Sequence, residues 1–208
     1  MFKKLFIILI GVVLIGMGIA ISILNNIGSD PMSVFAQGIS IRLHEFGWTF
    51  FTVGNAIITL NVIVFIILVL IYKWKYVNIG TFIGMFCIGS AANIWTKILS
   101  DIITNDNHIF YKSIWVIVGV TLISTGVGLF IYSNMGASPL DLISVTISNY
   151  LKINYSITRI VCDTVFGLIG WSIGGVVGIT TIVSMIFIGP ISGIVIRNMK
   201  KFENCTLF

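Results

Sequence analysis

Two six-residue stretches, Asn26-Ile27-Gly28-Ser29-Asp30-Pro31 and Asn134-Met135-Gly136-Ala137-Ser138-Pro139, carry the most suggestive chemistry in this chain. Each reads as a helix that stops and restarts. Glycine adopts φ > 0 without steric cost and so ends helices. Asp30 and Ser138 are good N-caps, and Pro31 and Pro139 suit the first helical position. Asp141, three residues after Ser138, can complete a capping-box-like pair. Capping of short helices accounts for the motif by itself. At membrane depth the same break does more: the free N–H groups and positive dipole end of the restarted helix can hold an anionic or polar group.

The segments after the breaks carry polar stripes at helical spacing. In the first the stripe is Ser33, Gln37, Ser40 and His44, opposite Met32, Phe35, Ile39 and Leu43. In the second it is Asp141, Ser144, Ser148 and Lys152. Such a helix can lie flat at a membrane interface or line an aqueous cavity. Asp163 is an acid well inside an apolar run. A charge at the centre of a spanning helix costs roughly 2.5–3.5 kcal/mol on insertion scales. Arg159, four residues earlier on the same helical face, can offset part of that through an i,i+4 pair. The pair reads either as a structural ion pair near a span's end or as a polar centre for proton or substrate coupling. Asn55, 108 residues before Asp163, places a second polar group at the matching site.

The elements that must position these groups are membrane helices. The chain has 208 residues, 57% apolar and 9% charged. A soluble domain carries about 25% charged residues. Six runs approach the roughly 20 residues needed to cross a bilayer. They are Leu5–Leu24, Phe50–Tyr72, Val77–Trp95, Ser113–Tyr132, Ser156–Ile173 and Val177–Ile196. Pro31–Leu43 and Pro139–Leu151 are too short, reaching only about 20 Å each. The expected fold is therefore all-α: a polytopic membrane bundle of six transmembrane helices plus two short re-entrant or interfacial helices. Met1–Lys4 and the run after them read as an uncleaved first span rather than a signal peptide.

A shift of 108 lays residues 2–57 over 110–165 without a gap. Lys4 meets Lys112, Gly11 meets Gly119, Gly18 meets Gly126, Asn26 meets Asn134, Gly28 meets Gly136 and Pro31 meets Pro139. Later the shift falls to 100, and Thr81, Met85 and Gly89 meet Thr181, Met185 and Gly189. A longer second span and loop in the first half accounts for the change. The chain reads as one membrane domain, 1–208, with repeats 2–99 and 110–199. Three spans per repeat turn the second copy upside down, a plan that recurs in secondary transporters.

The formal net charge of +5 follows topology, not nucleic acid. With both termini cytoplasmic, one side holds Lys3, Lys4, Lys73, Lys75, Lys152, Arg159, Arg197, Lys200 and Lys201, against Arg42, Lys97 and Lys112 on the other, as the positive-inside rule requires. Letting the short helices span satisfies the rule as well, and their length argues against it. Trp48, Trp74, Tyr76 and Trp95 near run ends suit an interfacial belt. Gly80xxxGly84, Gly170xxxGly174xxxGly178 and Gly189xxxGly193 offer faces for close helix packing within the chain.

Cys87, Cys162 and Cys205 show no pairing or metal spacing, and the first two read as small buried apolar groups. His44 and His108 stand apart. No nucleophile–base group or phosphate loop is visible, so neither an enzyme, a cofactor nor a metal is expected.

The repeated Gly-x-x-Pro break, its short helix, and Gly178–Thr181 with Ile188–Pro190 resemble the YczE/YyaS/YitT family of bacterial membrane proteins over nearly the whole chain. Gly89-Ser90 departs from the second half's Gly189-Pro190. The resemblance implies a bacterial membrane location and this fold, and brings no substrate with it.

The sequence thus points to a small secondary transporter for a small polar or anionic solute. The site would comprise Gly28, Ser29, Asp30, Gln37 and Asn55 from the first half, with Gly136, Ser138, Asp141, Ser144 and Asp163 from the second. The alternative is a non-transporting membrane accessory that stabilises a partner. A homodimer or a partner membrane protein is compatible with either.

Overall fold

A computed structural model describes residues 2–72, 78–103 and 109–205. Lys73, Trp74, Lys75, Tyr76, Val77 and His108, which bear on the topology, belt, span and histidine expectations, lie outside the described residues. Among the described residues the fold is eight helices and no strand. They are α1 (Phe2–Leu24), α2 (Pro31–Glu45), α3 (Val53–Tyr72), α4 (Ile79–Leu99), α5 (Ile109–Tyr132), α6 (Pro139–Leu151), α7 (Tyr155–Ser172) and α8 (Ile179–Cys205). Helices α4 and α8 run past the apolar stretches that announce them, because a helix continues through Lys97 or Arg197 once it leaves the hydrocarbon layer.

The bundle is apolar outside, and its interior combines an apolar core that includes Ile15, Ile57, Ile88, Ile123 and Phe130 with buried polar residues. Ile63, Ile66 and Leu70 on α3 and Ile182, Ile186 and Ile194 on α8 are exposed, whereas Ser124, Thr180, Thr181 and Ser184 are fully buried. Lipid solvates the outer surface, and the polar residues collect where protein surrounds them. Five helices, α1, α3, α4, α5 and α8, are long and apolar enough to cross a membrane. The sixth expected span, α7, has 18 residues and carries Arg159 and Asp163 on its buried face. Its outer face, Ile157, Val161, Val165 and Leu168, is exposed and apolar. Cys162 is buried as expected, but Cys87 faces outward.

Packing repeats between the halves. Helix α1 lies on α4 as α5 lies on α8, α3 on α4 as α7 on α8, and α2 on α3 as α6 on α7. Across the halves, α2 packs on α7 and α6 on α3. At the centre α1 and α5 pack against each other antiparallel, with Gly11 facing Gly126 and Gly18 facing Gly119. A methyl group added at Gly18 would come within 2.7 Å of the Gly119 carbonyl oxygen. Such close backbone approach is how small residues drive helix association in lipid. Of the Gly-x-x-x-Gly faces, Gly80 and Gly84 meet Met135 and Ser138, and Gly170 meets Phe35. Gly174 instead turns the chain after α7 with φ 101°.

Both interrupted segments form as the sequence predicts. Asn26 and Asn134 each take φ 53°, and Gly28 and Gly136 follow at 96° and 107°. The Asp30 carboxylate accepts from the Ser33 N–H, and the Ser138 hydroxyl accepts from the Asp141 N–H. Each break is then held by the opposite half. The Gly80 N–H donates to the Met135 carbonyl (2.9 Å), and the Thr180 N–H donates to the Ile27 carbonyl (3.3 Å).

Candidate functional site

Helices α2 and α6 start in the interior and run outward. Pro31, Ser33, Val34, Ala36 and Ser40 are buried, while His44 and Glu45 at the end of α2 are exposed. In α6 the buried residues run from Pro139 to Thr146, and Tyr150 and Leu151 are exposed. The polar stripe is the buried side at Ser33, Ser40, Asp141 and Ser144. A helix lying flat on headgroups would show the reverse.

The two starts meet at one cavity of ≈ 40 Å³. Asp30, Ser33, Asn61, Ser138, Asp141 and Arg159 supply its polar wall, and Ile15, Ile19, Ile123 and Val127 its apolar wall. Those isoleucines lie midway along α1 and α5, so the cavity sits at the depth of the middle of the bundle. A water needs roughly 10–15 Å³, so the cavity has room for about three or four waters.

Arg159 organises this centre. It is 2% exposed. Its Nε donates to the Asp163 carboxylate at 3.0 Å, the i,i+4 pair anticipated within α7. Its Nη1 donates to Asp141 on α6, a contact that sequence spacing does not announce. Its Nη2 lies 3.7 Å from the Met32 sulfur on α2. The Ser138 hydroxyl donates to the other Asp141 oxygen at 2.7 Å. Asn61 joins from α3, its side-chain oxygen accepting from the Leu140 N–H at 3.2 Å. Burying an arginine is tolerable only when such partners surround it. Being buried in the interior, Arg159 does not count among the loop charges, and the charge comparison loses one residue from its larger side.

Of the expected site residues, Asp30, Ser138, Asp141 and Asp163 meet at this centre. Gly28 and Gly136 shape the turns leading to it. The hydroxyls of Ser29 and Ser144 and the side-chain oxygen of Gln37 are buried without hydrogen-bond partners and do not line the cavity.

Asn55 does not belong to the centre. It lines a separate recess of ≈ 380 Å³ with Ser40, His44, Thr52, Asn93 and Lys97. There the Asn93 amide donates to the Asn55 oxygen at 3.3 Å. The residue of α3 that reaches the centre is Asn61, missed because the offset of 108 does not persist into the second span. Helix α3 starts at Val53 and α7 at Tyr155, an offset of 155 − 53 = 102. The same offset relates Asn61 to Asp163. A longer α2 and a longer loop before α3 absorb most of the change, rather than the second span and the loop after it. A further recess of ≈ 280 Å³, lined by Asn78, Asn134, Gly136 and Asn149, adjoins the first residue of α4. The Asn55 recess lies toward the other end of α4, at Ala92, Asn93, Thr96 and Lys97, and the 15 residues from Asn78 to Asn93 separate the two by about 22 Å.

These features define a polytopic α-helical membrane protein with two interrupted helices meeting at a buried charged centre. The chain belongs to a family of unknown function, DUF6198, whose model matches residues 2–197. It is 26% identical over 195 residues to an uncharacterized protein of Haemophilus influenzae, covering 91% of this chain and 82% of that one. Two Bacillus subtilis relatives carry the names anticipated from the motifs. The uncharacterized protein YyaS is 22% identical (85% of this chain, 84% of that one), and the uncharacterized membrane protein YczE is 25% identical (87% and 80%). No solved structure matches the chain.

Proposed function

We propose that the protein is a small secondary transporter, not an enzyme, moving a small polar solute through the centre formed by α2, α6 and α7. One observation carries this reading: two interrupted helices bring their capped N-termini to one cavity around a buried arginine with aspartates on either side. A scaffold has no need of that arrangement, because an apolar core of the same volume is as stable or more so. Interrupted helices at mid-depth are how transporters present backbone groups to a solute. The antiparallel α1–α5 seam and the matched packing of the halves support two inverted repeats. With the termini cytoplasmic in a bacterial cell membrane, the two recesses would open to opposite sides.

The present cavity is too small for an organic solute, so the reading assigns this conformation to a closed state. An anionic solute would have to displace Asp141 or Asp163 from Arg159. A neutral or cationic polar solute would not, and geometry favours it.

The test is uptake by purified protein in liposomes across a panel of small neutral, cationic and anionic polar solutes. Wild type moves at least one of them, and Asp163→Asn moves it more slowly. A panel with no protein-dependent uptake sinks the proposal. In that event the accessory reading predicts a stoichiometric partner in cellular cross-linking.

A further inference from the structure

We propose that the central cluster binds an exchangeable proton on Asp30 Oδ1, and that this proton is the coupling ligand of the transport cycle. The second clause rests on the transport reading; the first does not.

The charges at the centre do not balance. Arg159 contributes +1, and Asp30, Asp141 and Asp163 contribute −3 if all are ionised, a sum of −2. All four are at least nine-tenths buried. The N-termini of α2 and α6 supply about +0.5 each, leaving about −1. An uncompensated buried charge of that size neutralises itself by taking up a proton. With one proton bound, the sum closes near zero.

Geometry decides which carboxylate takes it. Asp141 receives Arg159 on one oxygen and the Ser138 hydroxyl on the other. Asp163 also has a buried Oδ1 without a hydrogen-bond partner, but the Arg159 Nε lies 3.0 Å from each of its oxygens. Asp30 has no hydrogen-bonded cation. One of its oxygens accepts from the Ser33 N–H, while Oδ1 is buried with no hydrogen-bond partner in the wall of the cavity. Among the described residues no other titratable group competes from the surrounding helices, and the buried polar residues of α8, which packs on α2 and α7, are Thr180, Thr181, Ser184 and Ser192. Helix α7 presents Arg159, Asp163 and Tyr155, and α6 presents Asp141. Helices α1, α3, α4 and α5 present Ile15, Ile19, Ile57, Asn61, Ile88, Ile123 and Val127. An O–H bond forms at Oδ1 from a water-borne proton and breaks when the cavity opens to water on the other side. No other reactant is needed.

The proton can be read directly by infrared spectroscopy of the whole protein in lipid at neutral pH. Wild type should show the carbonyl stretch of an un-ionised carboxylic acid, displaced when aspartate is labelled with carbon-13. Asp30→Glu keeps the charge balance and moves the proton to a glutamic acid, so aspartate labelling should no longer displace the band; in Asp163→Glu the labelled displacement should remain. A wild type without the band, a displacement undiminished in Asp30→Glu, or one lost only in Asp163→Glu overturns the assignment. Wild type alone decides the first outcome if a variant does not fold. The coupling clause is read in liposomes with a transported solute: an imposed pH gradient should drive accumulation in wild type and not in Asp30→Asn. Solute flux indifferent to the gradient overturns coupling and leaves transport standing. The band without any solute flux removes the transport reading and leaves the proton in place.

Discussion

Arg159 and Asp141 form a buried ion pair that ties α7 to α6 and fixes where α6 begins. Because Asp141 is also bonded to the cap Ser138, the arginine holds the helix start itself. The pair therefore joins the charge of one span to the interruption before it, and four predictions concern its surroundings.

Replacing Arg159 with methionine keeps much of its volume and leaves Asp141 and Asp163 without their cation. Breaking a buried pair in this way costs about 3–5 kcal/mol. Thermal unfolding in detergent should show Arg159→Met well below wild type. Arg159→Lys should recover only part of the loss, since a single ammonium group cannot reach both carboxylates with the geometry of a guanidinium fork. Equal stability of Arg159→Lys and wild type would argue against the two-partner role.

The α1–α5 seam depends on bare backbone. A Cβ at Gly18 meets both the Gly119 carbonyl and Ile123 at under 3 Å. Overpacking of this kind costs typically 1–3 kcal/mol. Gly18→Ala should destabilise the fold, and Gly18→Leu should prevent assembly of a monodisperse protein. Gly47, which has open space around it, is the control for added side-chain bulk, though its φ of 90° disfavours alanine. A Gly18→Ala melt at the wild-type temperature would exclude a tight seam.

The two turns also need glycine for its backbone. Gly28 and Gly136 sit at φ 96° and 107°, where an L side chain is strained. Such strain costs on the order of 1–3 kcal/mol. A Cβ at Gly28 would further lie 2.8 Å from the Thr181 hydroxyl oxygen. Both Gly28→Ala and Gly136→Ala should lower stability and loosen the centre, seen as faster amide hydrogen exchange at the starts of α2 and α6.

Accessibility distinguishes the inverted arrangement from its rivals. With Cys87, Cys162 and Cys205 replaced by serine, single cysteines at Asn93 and Asn149 probe the recesses at the two ends of α4. A membrane-impermeant thiol reagent should label Asn93→Cys only from outside and Asn149→Cys only from inside. Labelling of both from one face contradicts the arrangement. Ser138→Cys should resist the reagent while the centre is closed and react when a transported solute opens it.

Much of this was legible in order. Apolar runs and sparse charge announce a helical membrane bundle because a lipid-exposed backbone must satisfy its own hydrogen bonds. The repeated Gly, Asn, Pro and cap residues announced both interruptions, since those conformations admit few residue types. Asp163 and Arg159 were visible as a pair because i and i+4 share a helix face.

What the chain order alone determined, then, was local: helices, breaks, caps and the pair within α7. Only the tertiary structure decided which groups share the centre. It brought Asp141 to Arg159 from another helix and chose Asn61 over Asn55, because loops of unequal length shift the register of α3 against α7. Offsets along a chain carry no information about distance across a bundle, and the partners of a buried charge are set by packing between helices.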